Sequence, residues 1–547
     1  MHKTLKELKT DSTRLRQIII EQAAKDGGHV GPPLGAIEII QALLEVYDFK
    51  HDKMFFDVGH QMHAYKILTD RANSFHTMDK KGGIAEFPNI HESPFDFYTG
   101  GHSGLSISAA LGYAVNHSEY KSIALIGDGS MTGGQPYEAL NHAGEIKPNV
   151  LVIYNENDFS ITENTGFLHS GKKLRKFSES LGFQYKGVVD GHNLLELINI
   201  LSEIKVIETP IFLHIRTIKG KGYLPAETDP IAFHSHDPFD IETGRPHKVK
   251  ENSFRDLIIE KAKHLNNKYN DNLYLTSPAA ARSSGLKELK QFYPNRVIDT
   301  GMNEQHCVTF SAAIALSGNK VICFIPAIFL PRALDQIIDV CLLKVPIVFV
   351  LLNPGIAGTG PTHQGIYTFP ILNMLPNVEI LNPANLADFD TLLDQSLEKD
   401  HPVFIQKPGE NITHDPDISG TGVIRIRSGK QLTVVSIGNM LGSALKLADT
   451  LDGTEILHIE RIKPLSMGKI AESASKTKRM LILEDGCVYS GMGEHIVSNL
   501  EEIDLDFKIL GVKDKYPQLG NLQDVLDDVG LNDISILSAA KSLKMKK

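Results

Sequence analysis

Two short segments of this 547-residue chain carry side chains whose types and spacing suit metal and anion chemistry: Gly127-Asp128-Gly129-Ser130 and Tyr154-Asn155-Glu156-Asn157-Asp158. Asp128 offers a carboxylate and Asn157 an amide, 29 positions apart, the length of one strand–helix–strand unit. Magnesium takes oxygen ligands in near-octahedral geometry and shares them with a substrate's phosphates. Asp128, Asn157 and the backbone carbonyl of Phe159 make such a set. Gly129 and Ser130 belong to a turn that brings backbone amides close to an anion. A lone Gly-Asp-Gly is usually an ordinary turn; the second segment makes the metal reading the stronger one.

These side chains need strands to present them. Residues 123–126 are apolar without alternation and end in turn residues, which predicts a short buried parallel strand. A helical pattern over 138–144 leads to a second buried strand over 150–154. Asp128 and Asn157 then sit at the carboxyl ends of neighbouring strands, where open α/β sheets bind ligands. Residues 211–215 add a further strand to this first doubly wound α/β domain, 1–235. Pro238, Gly244 and Pro246 mark 236–253 as a linker. A helix over 254–265 and strands at 274–275, 321–325 and 345–351 build a second α/β domain, 254–410. After the proline- and glycine-rich stretch 407–422, strands at 432–437, 456–459 and 480–483 build a third, 411–547. The length suits about three domains.

Composition removes several classes of function. A net charge of −10 and a pI near 6.2 leave no basic block for nucleic acid. Lys172, Lys173, Arg175 and Lys176 read as a solvated helix face. Cys307, Cys323, Cys341 and Cys487 stand singly, which predicts a reducing, cytoplasmic compartment. No run of 18 apolar residues occurs, so no membrane span is expected. His60-Gln61-Met62-His63 and His234-Ser235-His236 lack zinc spacing and thiolates. No GxGxxG follows an opening strand, so a nicotinamide enzyme is not expected.

Further motifs follow one another in order: Asp57-Val58-Gly59-His60-Gln61, Lys81-Gly82-Gly83 to Phe87-Pro88, Gly101-His102-Ser103 and Glu138-Ala139-Leu140-Asn141-His142-Ala143-Gly144. Lys219-Gly220, Gly222-Tyr223, Phe233-His234, Asn303-Glu304-Gln305-His306 and Gly360-Pro361-Thr362-His363-Gln364-Gly365 continue the series. From about His29 onward the chain resembles the 1-deoxy-D-xylulose-5-phosphate synthase family, thiamine-diphosphate enzymes of transketolase-like fold. The resemblance implies thiamine diphosphate and Mg2+ as cofactors. It implies a first domain that grips the diphosphate, a second that holds the aminopyrimidine, a non-catalytic third, and a homodimer. It makes Glu304 the acid that hydrogen-bonds the aminopyrimidine, with Phe329 and Arg332 beside that ring. Lys219 and Tyr223 carry over as cofactor contacts, as do Gly101, His102, Ser103, Gly129, Ser130 and Asn157. His60 joins cofactor binding with catalysis, and His29, His234 and His363 face substrate oxygens. Pyruvate would lose CO2 and its two-carbon remainder would join glyceraldehyde 3-phosphate or a related acceptor as a 1-deoxyketose, a step of isoprenoid biosynthesis.

The match breaks at the acceptor's phosphate. Asn353-Pro354-Gly355 stands where the resemblance calls for Asp-Arg-Ala-Gly, Thr359 for an Asp, Pro326 for a Tyr, and Gln406-Lys407-Pro408-Gly409 for an arginine-bearing segment. Lys407 is the one cation left to substitute, as a point charge without a guanidinium's two-pronged contact. After Asn164 only residues 165–178 stand in place of an insertion of several dozen, which predicts a more open site. A paralogue with another aldehyde acceptor, a transketolase with a ketose donor, and a non-catalytic cofactor-binding paralogue are the alternatives.

Overall fold

The computed structural model describes residues 3–169, 171–248, 253–409 and 422–544. The chain forms two compact units, Met1–Glu251 with Gly301–Asn303, and Asn252–Thr300 with Glu304–Lys547.

The first unit is a doubly wound α/β layer. Its strands are β2 (Lys53–Phe56), β3 (Ser122–Gly127), β4 (Val150–Glu156), β5 (Gln184–Asp190) and β6 (Ile211–Arg216), parallel throughout in the order β2-β3-β4-β6-β5. A ribbon of β1 (Gly28–His29) and β7 (Ser235–His236) stands apart. The apolar run without alternation has a direct cause. Ile123 and Leu125 enter a core with Leu15, Ile19, Ile37, Ile40, Leu197 and Leu201 of the helices Leu5–Asp26, Ile37–Val46 and Leu194–Lys205. Ala124 and Ile126 enter the opposite core with Ile107, Leu111, Leu140 and Ala143 of Ser106–Asn116 and Gly134–Ile146. Each such isoleucine or leucine contributes about 1.5–3 kcal/mol by leaving water. Gly144 allows the close approach of the last helix, because a Cβ there would lie 1.9 Å from the Leu181 carbonyl oxygen.

In the second unit, β8 (Leu273–Ser277), β9 (Val297–Asp299), β10 (Lys320–Pro326), β11 (Val348–Leu352), β12 (Glu379–Leu381) and β13 (Val403–Gln406) run parallel. A second sheet, in the order β14-β16-β15-β18-β19, contains β14 (Val423–Arg427), β15 (Leu432–Ile437), β16 (Thr454–Ile459), β18 (Arg479–Cys487) and β19 (Asp506–Val512). β17 (Arg461–Lys463), which lies between β16 and β18 in sequence, joins the first of these sheets antiparallel to β12.

Two segments differ from expectation. The strand predicted over 345–351 begins only at Val348, since Pro346 has no amide for the ladder. Residues 236–248, read as linker, pack on the first unit instead. Phe239 is buried against Phe233 and His236, and its amide donates to the Ala24 carbonyl at 2.9 Å. Part of the predicted break, 410–421, and the end of the predicted linker lie outside the described residues. Among the described residues no helix is long and apolar enough to cross a membrane.

Candidate active site

In the first unit the parallel register pairs Gly127 of β3 with Asn155 of β4, so Asp128 and Asn157 leave adjacent strand ends together. The Asp128 carboxylate is buried and accepts from the amides of Asn157 and Asp158, each at 2.7 Å, and from its neighbour Gly129 at 2.9 Å. Burial pushes its pKa up to about 6 despite those donors. The Asn157 side-chain oxygen Oδ1 accepts from the Phe159 amide at 3.2 Å, which holds Asn157 and Phe159 in one turn. A Cβ at Gly129 would lie 2.4 Å from Ser160 Cβ, so the turn has room only for glycine. Among the described residues no group of three or more His, Cys, Asp or Glu is arranged for a metal. The set proposed here has one carboxylate, one amide and one carbonyl and is of a different kind.

Asp57, just past β2, anchors the loop that bears Gly101, His102 and Ser103. Its carboxylate accepts from the Gly104 amide at 2.9 Å and from the Ser106 amide and hydroxyl at 3.1 and 2.8 Å. Lys219 is buried after β6. Its ammonium donates to the Ser160 carbonyl at 2.6 Å and lies 3.0 Å from His234 Nδ1. Burial lowers its pKa to about 7.

Three of the expected histidines converge. The rings of His29, His60 and His234 have centroids 5.1–5.5 Å apart. Their meeting follows from the β1–β7 ribbon, which pairs His29 with Ser235 and so brings the segments together across two hundred residues. Nδ1 of His60 is buried without a hydrogen-bond partner, and burial holds that ring's pKa well below the usual value. A residue the sequence did not single out sits among them. Glu86 Oε1 lies 2.7 Å from His29 Nδ1 and 3.6 Å from His63 Nε2. Its signal was an acid next to Phe87-Pro88 in a turn-rich stretch, too weak to read alone.

Tyr223 is placed differently from expectation. It packs edge-on to Phe233, near Phe239, and its hydroxyl donates to the Ile241 carbonyl at 2.8 Å, so its surroundings are those of a core residue.

The second unit supplies a separate group. Glu304 opens the helix Glu304–Leu316. Its carboxyl is buried, with Oε2 unpartnered and the Arg332 Nε 3.7 Å away. Burial raises its pKa, with Arg332 opposing. Phe329 and Arg332 both lie on the turn Ala327–Ala333 that follows β10, and the Phe329 ring meets His363 at 6.2 Å, near perpendicular. His363 belongs to a loop closed on itself. Thr359 donates to the His363 carbonyl at 2.8 Å, and the Gln364 side chain bonds both the amide and the carbonyl of Ala357. The Lys407 ammonium lies over the Phe254 ring at 5.0 Å.

A buried carboxyl oxygen without a partner is costly to a chain that has no use for it. In the first unit the glycine turn after Asp128 and the unpartnered His60 nitrogen, and in the second the buried Glu304 carboxyl, are groups of the kinds a diphosphate and an aminopyrimidine would take up, so the residues of each unit fit thiamine diphosphate.

The family model described as 1-deoxy-D-xylulose-5-phosphate synthase matches residues 2–176 and 171–217. Transketolase pyrimidine-binding and C-terminal domain models match 256–413 and 420–536. The first model's two pieces meet where residues 165–178 form the short bridge. The 1-deoxy-D-xylulose-5-phosphate synthase of Heliobacterium modesticaldum is 33% identical over 605 aligned positions, covering 98% of this chain and 93% of the relative. That of Carboxydothermus hydrogenoformans is 34% identical, covering 96% and 94%. Among solved structures, the transketolase of Campylobacter jejuni aligns with 99% of this chain at 18% identity and a TM-score of 0.44. With relatives at this identity matched over nearly their full length, the chain belongs to the 1-deoxy-D-xylulose-5-phosphate synthase family.

Proposed function

We propose that the protein is a thiamine-diphosphate- and magnesium-dependent transferase that takes pyruvate, releases CO2, takes up one proton and passes the two-carbon remainder to an aldehyde, giving a 1-deoxyketose. The observation that carries this reading is the buried Glu304 carboxyl with an unpartnered oxygen, on the same unit as Phe329 and Arg332. Bound thiamine diphosphate supplies a carbon nucleophile that no amino-acid side chain offers. Asp128, Asn157 and the Phe159 carbonyl would hold the magnesium, and the amides of Gly129 and Ser130, with Lys219, the diphosphate. Glu304 would exchange a proton with the aminopyrimidine, a role suited to a carboxyl whose burial favours the protonated form. His60 and His234, and His363 in the second unit, would donate to substrate oxygens, and His29 would accept a proton from one. Exposed Leu316, Ile338, Leu342 and Leu343 support a homodimer.

A second reading, an acceptor other than glyceraldehyde 3-phosphate, is favoured by the loop over 353–365. It contains no arginine or lysine, and its polar side chains Thr359 and Gln364 are spent on its own backbone. Both readings are tested by supplying thiamine diphosphate, magnesium and pyruvate with a panel of phosphorylated and unphosphorylated aldehydes while following CO2 and product mass. Turnover with glyceraldehyde 3-phosphate supports the first, turnover only with another aldehyde the second. No CO2 under any condition refutes both.

A further inference from the structure

The His29 ring is held by one carboxylate at two points. Glu86 Oε1 takes the ring's Nδ1 at 2.7 Å and the His29 backbone amide at 3.2 Å. Glu86 is itself fixed: its amide donates to Asp79 Oδ1 at 3.0 Å, and its side chain is buried. Gly28 shapes the approach through its backbone, whose φ of +117° favours glycine. Other titratable groups around this carboxylate are His63, 3.6 Å away through Nε2, His60 and Asp79. Burial pushes the Glu86 carboxyl up, but His29 and then His63 outweigh it and hold the group well below the usual carboxylate range. An ionised carboxylate only accepts hydrogen bonds, so the proton between Glu86 and His29 sits on Nδ1.

We propose that Glu86 is a positioning residue for the reaction: by binding His29 at Nδ1–H and at the backbone amide, it fixes the ring's tautomer and leaves Nε2 as the nitrogen that serves the substrate. A neutral imidazole carries one proton, so fixing it on Nδ1 makes Nε2 the acceptor. The orientation follows as well, because the ring cannot flip without losing the 2.7 Å contact. In this respect the pair resembles the carboxylate that orients a catalytic histidine in hydrolases, although the fold and reaction differ. The inference rests on the proposed function for its kinetic consequence but not for the tautomer itself.

The test therefore has two arms on the full chain. In the first, histidine-15N-labelled protein without cofactor is studied by long-range 1H–15N correlation, parent against Glu86→Gln and Glu86→Ala. The parent should show His29 as the Nδ1–H tautomer, and E86A should show mixed tautomers or Nε2–H. An unchanged His29 signal in E86A overturns the proposal. In the second arm, CO2 release from pyruvate is measured for the parent, E86A, His29→Ala and the double variant. Loss of a hydrogen bond to a charged group predicts a kcat/KM about 10- to 100-fold lower for E86A, and less than about 3-fold further loss when E86A is added to H29A. An undiminished loss in the H29A background would mean that Glu86 acts otherwise, and overturns the proposal. If E86A does not fold, Glu86→Leu carries both arms with the same expected and refuting outcomes, since leucine fills much of the space and offers no acceptor to Nδ1–H. If the parent releases no CO2, the proposed function fails and the first arm alone decides on Glu86.

Discussion

Replacing Glu304 by glutamine separates the cost of this residue from its use. The carboxyl is buried at the start of a helix, with one oxygen unpartnered and Arg332 Nε at 3.7 Å. Burial raises its pKa, so the folded chain binds that proton more tightly than the unfolded one. Ionisation therefore costs stability as pH rises above the ordinary glutamate value, and glutamine, with no proton to lose, escapes the cost. Against this stands the lost attraction to Arg332, whose side chain is 21% exposed. A partly solvated pair at that distance contributes at most about 1 kcal/mol, and the desolvation of the acid outweighs it. E304Q should thus melt no lower than the parent at pH 5.5 and measurably higher at pH 8.5, by scanning calorimetry. Its activity should move the other way. An amide keeps a hydrogen bond but cannot exchange a proton, so thiamine diphosphate affinity should fall about 10-fold and CO2 release about 100- to 10,000-fold. Turnover within about 3-fold of the parent, or a lower melting temperature at both pH values, would refute the reasoning.

Gly129→Ala sets a methyl group 2.4 Å from Ser160 Cβ and 3.1 Å from the Asn164 side-chain oxygen; overpacking of about 1–3 kcal/mol should open the turn, and calorimetric titration should show at least about 10-fold weaker thiamine diphosphate binding in a folded protein. Asp57→Ala strips the Gly104 and Ser106 amides and the Ser106 hydroxyl of their acceptor, so it should lower stability by about 3 kcal/mol in urea unfolding, and a loss below about 1 kcal/mol would deny Asp57 its anchoring role. Lys219 has a pKa lowered to about 7 in the folded chain, so folding expels its proton between pH 7 and the unfolded value and the buried charge costs most below pH 7. Lys219→Met should accordingly raise the melting temperature of the cofactor-free protein at pH 6 by more than it does at pH 9, while weakening pyrophosphate binding at pH 6.

The strands that position the site were legible because burial on both faces removes polar residues from them. Residues 123–126 and 150–154 lie between two helical layers, and the structure extends each by a few positions. The motif positions of Asp128, Asn157 and Glu304 were legible too, since a local segment carries each. What could not be read was which distant segments meet. Glu86 reaches His29 across 57 positions from an irregular loop, and His234 meets it through a two-residue ribbon; no periodicity announces either. Tyr223 belonged to a recognisable motif, yet its surroundings depend on Phe233 and Phe239 folding back over it. That folding also turned an expected linker into packed structure, because one buried aromatic outweighs the proline and glycine content around it. Lys407 is another such case: the aromatic face its ammonium lies over comes from Phe254, more than a hundred positions away.

Burial of ionisable groups does not by itself mark the site. Lys66 and Arg71 are as deeply buried as any residue discussed here, but Lys66 lies 2.6 Å from Glu92, and Arg71 lies 3.0 Å from Glu92 and 2.7 Å from Asp96. Each charge there has an opposite charge, and the network fixes the loop that carries Glu86 by bonding the Ala85 and Asn89 amides. Glu484 is a sharper control. Burial raises its pKa to about 8 and one of its oxygens is unpartnered, as in Glu304, yet its other oxygen accepts from Met492 and Gly493 at the start of a helix. A single perturbed carboxyl is therefore compatible with a capping role. The first unit's site differs in kind, because perturbed groups of opposite sign gather at the carboxyl ends of parallel strands. Asp128 is shifted up, Lys219 down, and His60 keeps an unpartnered nitrogen. Asp128 and Lys219 attract each other, but the Lys219 ammonium bonds a carbonyl and a histidine while Asp128 bonds amides. An acid and a base gathered at the strand ends, each bonded to neutral partners, suit the proposed ligand, a magnesium diphosphate, which would bring a cation to the acid and an anion to the lysine.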